Sequence, residues 1–361
     1  MTEVLESADS RPATALWSMA HLGTPMAIRV AATLRIADHI HAGLCAMPEL
    51  AKATGADPDA LQRLMRYLAA RGIFGRDERG RYALTELSEL LRDDHPAGMR
   101  TGLDIEGIGR AELAFTQLLH SVRTGEAGFA RQFGVSFWED LAADPERREI
   151  FTGWMGSDMP HRSPGILDGY DWAALRHLVD VGGGNGSLMI ALLNRYRELR
   201  GTVLDLPETA ADARKAVAAA GLADRCEVLD GSFFDPLPPG AGGYLLSLVI
   251  HDWGNRSAQA ILRRCAEAAG PDGVVLVVEK TGADGAAPHS GMDLRMLVLY
   301  GGKERGVAEL ATLAVHAGLT VAAVHPAGQF SIVELRRHQP AAAGAQYRRC
   351  PAEPAADNSL L

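Results

Sequence analysis

Leu178-Val-Asp-Val-Gly-Gly-Gly-Asn-Gly-Ser-Leu188 is the stretch on which the fold turns. Leu178, Val179 and Val181 flank an acid, Asp180, and read as a short buried strand. Gly182 to Gly186 read as a tight turn and Ser187 as a helix start. A strand that hands a glycine turn to a helix N-terminus leaves backbone N–H groups unblocked by side chains. Such a pocket suits a nucleotide or a nucleoside-like cofactor. From Leu175 onward the pattern repeats, with strands expected at 178–181, 202–205, 226–229, 243–249, 273–279 and 329–335. Helices are expected between them at about 187–196, 208–220, 256–269 and 307–317. That alternation predicts an α/β, Rossmann-like, doubly wound and mainly parallel sheet with its ligand at the strand C-termini.

Spacing narrows the cofactor. The dinucleotide pattern Gly-x-Gly-x-x-Gly, begun at Gly182 and Gly184, meets Ser187 in place of its third glycine. Asp180-x-Gly182-x-Gly184-x-Gly186 instead resembles the first motif of class I S-adenosylmethionine-dependent methyltransferases. Asp205 ends a second short strand nineteen residues beyond Gly186, a place suited to accepting ribose hydroxyls. It reads also as a strand-end helix cap ahead of Pro207.

At 361 residues the chain has room for two or three domains. A formal net charge of -9 argues against nonspecific partnership with nucleic acid or anionic membrane. The four cysteines are scattered without a C-x-x-C pair, which suits a reducing cytoplasm and no zinc site. The uncharged run from Leu310 to Val333 is broken by glycines, Pro326 and two histidines, so it is no membrane span.

Residues 1–12 are polar and expected to be flexible; the Ala- and Pro-rich tail 339–361 is expected to be disordered. Met26 to Ile40 is apolar nearly all round, predicting one helix buried in a core or against a partner. Two short helices over Met47–Phe74, with Asp57 as N-cap and Pro58 at the first helical position, precede a polar hairpin at Arg76–Arg81. Helix, turn, helix and hairpin make a winged-helix pattern over 13–95. DNA binding is the obvious reading, but Lys52 and eight arginines oppose nine acids over 46–100. A DNA reader carries a basic surplus, so dimerisation is the expected role. Residues 96–172 read as mostly helical, with loops at Thr124–Gly128 and Met159–Pro164. Trp138, Trp154, Met155 and Met159 there suit either the lining of a small-molecule cavity or plain core packing.

In the third unit, 173–338, the fourth strand runs into His251-Asp252-Trp253 at the ligand face. A histidine there has an ordinary pKa of about 6.5 and is a usable base. Glu279 ends the fifth strand, and Glu304 lies in a glycine turn before a helix. Either is placed to hold the imidazole by its other nitrogen, although Glu304 reads also as a first-turn acid complementing a helix dipole.

Several motifs in order now carry a resemblance. They are Thr24-Pro-Met-Ala-Ile-Arg-Val-Ala-Ala-Thr-Leu-Arg35, Leu119-His-Ser-Val-Arg-Thr-Gly-Glu126, the Asp180 loop, His251-Asp-Trp253, Asp293-Leu-Arg-Met-Leu297 and Gly301-Gly302. From about Thr14 to Arg337 the chain resembles small-molecule O-methyltransferases of the plant caffeate type. It is more similar still to actinobacterial relatives that tailor aromatic polyketides such as anthracyclines. The resemblance implies a homodimer whose winged-helix parts help close each other's sites, S-adenosylmethionine as cofactor, and an aromatic acceptor. It puts His251 at the general base, flanked by Glu279 and Glu304. For the cofactor it implies Arg148 at the methionine carboxylate, Asp180, Gly182 and Gly184 in the loop, and Asp205 at the ribose. Ser232 and Phe233 fall near the adenine and Ser247 near the sulfonium. Asp252 and Arg295 match positions that touch substrate, as Trp154 and Met155 do if they line the cavity. No ligand cluster for a metal is evident.

One position departs. Relatives carry Gly-Asp-Phe-Phe after the third strand where this chain has Gly231-Ser-Phe-Phe234. The missing carboxylate predicts weaker cofactor binding, by roughly 1.5–3 kcal/mol for one charged hydrogen bond. Three rivals stay open: a relative diverted to hydroxylation or decarboxylation, methylation on carbon or nitrogen, and a DNA-binding regulator.

Overall fold

The computed structural model describes residues 11–157, 159–282, 285–287 and 291–338. The expected tail 339–361, and all of 1–12 but its last two residues, lie outside that set. The chain begins with helices Arg11–Ala20, Gly23–Thr33 and Ile36–His41. Met26 to Ile40 is therefore not the single helix expected. It breaks at Arg35, which is left-handed at φ 52° and whose guanidinium pairs with Asp93. The break lets two short faces, Ala27–Ala31–Ala32 and Ile36–Ala37–Ile40, meet one core with Leu50, Leu61, Met65 and Leu68. A straight helix would have carried the second face past that core.

Helices Met47–Thr54 and Pro58–Ala70 follow. Asp57 caps the second as expected, accepting from the Ala60 N–H at 2.9 Å. Strands β1 (Gly75–Arg76) and β2 (Tyr82–Ala83) pair antiparallel as the small wing. Leu16, Trp17, Met19 and Leu22, on or just after the first helix, stay exposed.

The middle of the chain is helical, ending in Pro145–Ser157 and Met159–Asp168. The loop expected at Met159–Pro164 is thus a helix, with Pro164 inside it. Tertiary packing overrides the proline: a Cβ on Gly165 would stand 2.6 Å from the Ala327 carbonyl, so backbone rests on backbone.

The main sheet holds β3 (His177–Val181), β4 (Arg200–Asp205), β5 (Cys226–Asp230), β6 (Gly243–Ser247), β7 (Val274–Glu279), β8 (Leu319–Ala327) and β9 (Phe330–Arg337). Their order is β5-β4-β3-β6-β7-β9-β8, parallel from β5 to β7, with β9 antiparallel to both β7 and β8. Sequence periodicity missed β8 altogether. It is an edge strand whose residues alternate only loosely between cover and exposure, and Pro326 in it is tolerated because an edge N–H needs no partner. The fourth strand also ends at Ser247, two residues sooner than expected, because Leu248 turns left-handed at φ 57°. Every residue of β7 is buried, Glu279 included. Its Val-Val-Leu-Val-Val run is covered on both faces, as parallel strands are. The C-terminal ends of β3, β4, β6 and β7 therefore open on one edge of the sheet.

Candidate active site

At that edge the β3 turn has Gly182, Gly184 and Gly186 at φ of 75°, 59° and 77°, conformations that L side chains rarely adopt. The N–H groups of Gly182 and Gly183 donate to the Leu204 carbonyl at 2.8 and 3.3 Å. Asp205 ties the loop to β4: one oxygen accepts from the Gly184 N–H at 2.8 Å and the other from the Leu206 N–H at 2.8 Å. Beneath the loop Asp180 is 1% exposed. Burial and then the Asp205 charge push its carboxyl up to about 7. Its Oδ1 makes no hydrogen bond, and a Cβ on Gly183 would lie 2.7 Å from its Oδ2. On the other side, a Cβ on Gly182 would stand 3.3 Å from the Phe233 ring. A side-chain-free cradle, an orphaned buried acid oxygen and an aromatic wall fit a cationic nucleoside cofactor of the S-adenosylmethionine type.

The Ser232 Oγ accepts from the Phe234 N–H at 3.2 Å, closing a local turn. Ser247 ends β6, half-buried. Arg148, on helix Pro145–Ser157, lies 4.0 Å from Asp212 with its Nε buried and unbonded. The same helix ends over the loop, since a Cβ on Gly156 would be 3.4 Å from the Asn185 amide. Trp154 on it lies over Gly98 and Gly102, while Met155 is 38% exposed.

Three acids gather around His251. Its Nδ1 is 3.0 Å from Glu279 Oε2 and 3.6 Å from Glu304 Oε1; its Nε2 is 3.4 Å from Asp252 Oδ1. Glu279 Oε1 also accepts from the His251 backbone N–H at 3.1 Å. Burial opposes the imidazolium, yet Glu279, Asp252 and Glu304 together outweigh it and push the ring up to about 10. Asp252 is pushed up to about 7, chiefly by burial and against the pull of His251. Glu304 is raised in the same way. The two flanking glutamates named from sequence thus do converge on one imidazole nitrogen, leaving the other towards Asp252.

Beyond Asp252 the structure adds Tyr300 and Glu112, which the sequence did not single out. Tyr300 stacks on Trp138 with centroids 5.3 Å apart. Its phenol is held protonated far above the usual range by burial and by the nearby Asp252 charge. Arg295 reaches Glu112 at 3.0 Å, and Glu112 in turn meets Arg29 at 3.3 Å. Helix Gly291–Tyr300, which carries Arg295 and Tyr300, was unpredicted. The motif quoted at 293–297 was its only signal.

Comparison with known proteins supplies the family. A model described as the O-methyltransferase domain matches residues 115–320, and one for the O-methyltransferase dimerisation domain matches 17–94. A 2,7-dihydroxy-5-methyl-1-naphthoate 7-O-methyltransferase of Streptomyces carzinostaticus is 54% identical over 89% of this chain and 96% of its own. The aclacinomycin 10-hydroxylase of Streptomyces purpurascens is 42% identical over 92% of each. An O-methyltransferase from neocarzinostatin biosynthesis, solved with S-adenosylmethionine and 2-hydroxy-5-methyl naphthoic acid, superposes with a TM-score of 0.85 at 53% identity. That match covers 90% of this chain and 98% of the other. Among the described residues no helix is long and apolar enough to cross a membrane. The chain therefore belongs to the O-methyltransferase family: it is an enzyme that uses S-adenosylmethionine and carries that family's dimerisation domain.

Proposed function

We propose that the enzyme methylates a phenolic hydroxyl on a fused-ring, polyketide-like aromatic acceptor, a hydroxynaphthoate or a close chemical relative, with His251 as general base. The observation that carries this reading is the grip of Glu279 and Glu304 on His251 Nδ1, which leaves Nε2 for an acceptor proton. A free phenol ionises near pH 10, so at neutral pH only about one in a thousand is phenolate. His251 takes that proton as the oxygen attacks, and the glutamates stabilise the imidazolium that forms. When bound, S-adenosylmethionine supplies the electrophilic methyl on a cation whose charge opposes the imidazolium. Asp180, Gly182, Gly184, Asp205, Phe233, Ser232 and Ser247 line its pocket in this reading, with Arg148 at the carboxylate end. Asp252, Arg295, Trp154 and Met155 meet the acceptor.

Residues 13–95 serve dimerisation, 96–172 the acceptor cavity and 173–338 the cofactor, and neither nucleic acid nor metal takes part. Buried free thiols at Cys226 and Cys265 support work in a reducing cytoplasm. Calorimetric titration with S-adenosylmethionine, followed by mass analysis of hydroxynaphthoates for one added methyl, tests the proposal. The similarity to a hydroxylase favours a second reading. Cofactor binding with an oxygenated rather than methylated product would select it.

A further inference from the structure

The turn that carries His251 is closed by two weak backbone bonds of its own, from the Asp252 and Trp253 N–H groups to the Val249 and Ile250 carbonyls, both at 3.2 Å, and is clamped from outside besides. Leu248 enters it at φ 57°, a left-handed conformation that is costly for a side-chain-bearing residue and persists only where neighbours enforce it. The enforcing contacts come from fifty residues downstream. Gly302 lies so close that a Cβ there would stand 2.1 Å from the His251 carbonyl. The Lys303 N–H donates to that same carbonyl at 2.8 Å. Arg305, 3% exposed, then spans the turn. Its Nη1 donates to the Ile250 carbonyl at 2.9 Å and the Lys303 carbonyl at 3.1 Å. Its Nη2 donates to the Trp253 carbonyl at 2.7 Å and Asn255 Oδ1 at 2.9 Å. No other side chain has the planar fork to bridge both ends of so short a turn; a lysine is a point charge and reaches one.

We propose that Arg305 is the positioning residue of the base, fixing the 250–253 turn so that His251 meets Glu279 and supplying the second buried cation among its acids. The first half rests on the hydrogen bonds. The second rests on charge: Asp252, Glu279 and Glu304 face one imidazole. Arg305 lies in the fields of Glu279, of Glu309 from the next helix and of Asp293 from the preceding one. Lys303 is engaged by Glu309, and Lys280 acts on Glu304. Removing the Arg305 charge leaves Glu279 less neutralised, so the imidazolium is favoured and the base is freed only at higher pH.

The inference rests on His251 being the base, and two variants of the whole enzyme separate its parts. Arg305→Gln removes both fork and charge: turnover should fall about 100-fold, as for a misplaced catalytic group, cofactor affinity by calorimetry should hold, and the acid limb of the pH–rate profile should move up. Arg305→Lys keeps the charge: turnover should fall comparably while the limb stays. Wild-type turnover in Arg305→Lys overturns the positioning role, and an unmoved limb in Arg305→Gln overturns the charge role. Should Arg305→Gln fail to fold, the limb is read by comparing Arg305→Lys with Arg305→Met, and the same outcomes decide. His251→Ala serves as the control. If it keeps its turnover, the base reading itself fails; if it is inactive while the Arg305 variants behave as wild type, only the Arg305 proposal fails.

Discussion

The glycine loop of the proposed cofactor side is one continuous stretch, 180–187, tied down by Asp205 from the neighbouring strand. The base side gathers His251 and Asp252 from a turn after β6, Glu279 from the end of β7, and Glu304 from a loop twenty-five residues later. Backbone conformation makes the first, and long-range packing makes the second. Damage to the loop should therefore be local and graded, whereas damage around His251 should pass to every group that leans on it.

His251→Ala tests the sharpest consequence. Turnover should fall by about 10²–10⁴, the range for a lost general base, with calorimetric cofactor affinity intact; weakened cofactor binding would mean that the two sides are not separate. A pair of glycine-to-alanine substitutions comes next. Gly302→Ala drives a Cβ into the His251 carbonyl and should cost about 100-fold in turnover. Gly184→Ala meets nothing within 4 Å. It bears only the left-handed penalty of about 1–2 kcal/mol, read as weaker cofactor binding. Equal effects of the two would erase the contrast.

The pH response is smaller and carries a definite sign. A base raised to about 10 is mostly protonated at neutrality, so kcat/KM should climb through the alkaline range. The same shift stabilises the fold fully below the unfolded histidine pKa of about 6.5. That contribution is lost as pH rises through about 10. Rate should rise while Tm falls over one window, and His251→Ala should flatten its share of the Tm slope. Ser232→Asp should tighten the cofactor by roughly 1.5–3 kcal/mol, the worth of one hydrogen bond to a charged group, and leave turnover alone. No change would show that the local turn closed by Ser232 suffices.

Legibility in the sequence followed the same divide. The β3 loop was readable because strand, glycines and helix start sit side by side, and Asp57 because a cap acts on its own helix. His251 and Glu279 were found as strand-end residues on the ligand edge, and Glu304 as an acid in a glycine turn before a helix. Their convergence on one nitrogen was not readable from spacing. Arg35 broke a helix that its neighbours' apolarity argued for, since the competing core lay elsewhere in the chain. Strand β8 escaped because an edge needs neither strict alternation nor freedom from proline. Tyr300 escaped because its stacking partner Trp138 lies 162 residues away, and Arg305 because Ile250 and Trp253 lie 55 and 52 residues away, beyond any local period.

The position of β9 bears on how the enzyme is made. This late strand inserts between β7 and β8, and its Ser331 stands in register with Glu279. During synthesis the N-terminal helices emerge and fold first, and the glycine loop can follow. The acid that grips His251 stays on an unfinished edge until residues 330–337 have left the ribosome. A nascent chain with its glycine loop formed therefore still holds the proposed base, His251, against an acid on an open sheet edge, until the late strand closes it.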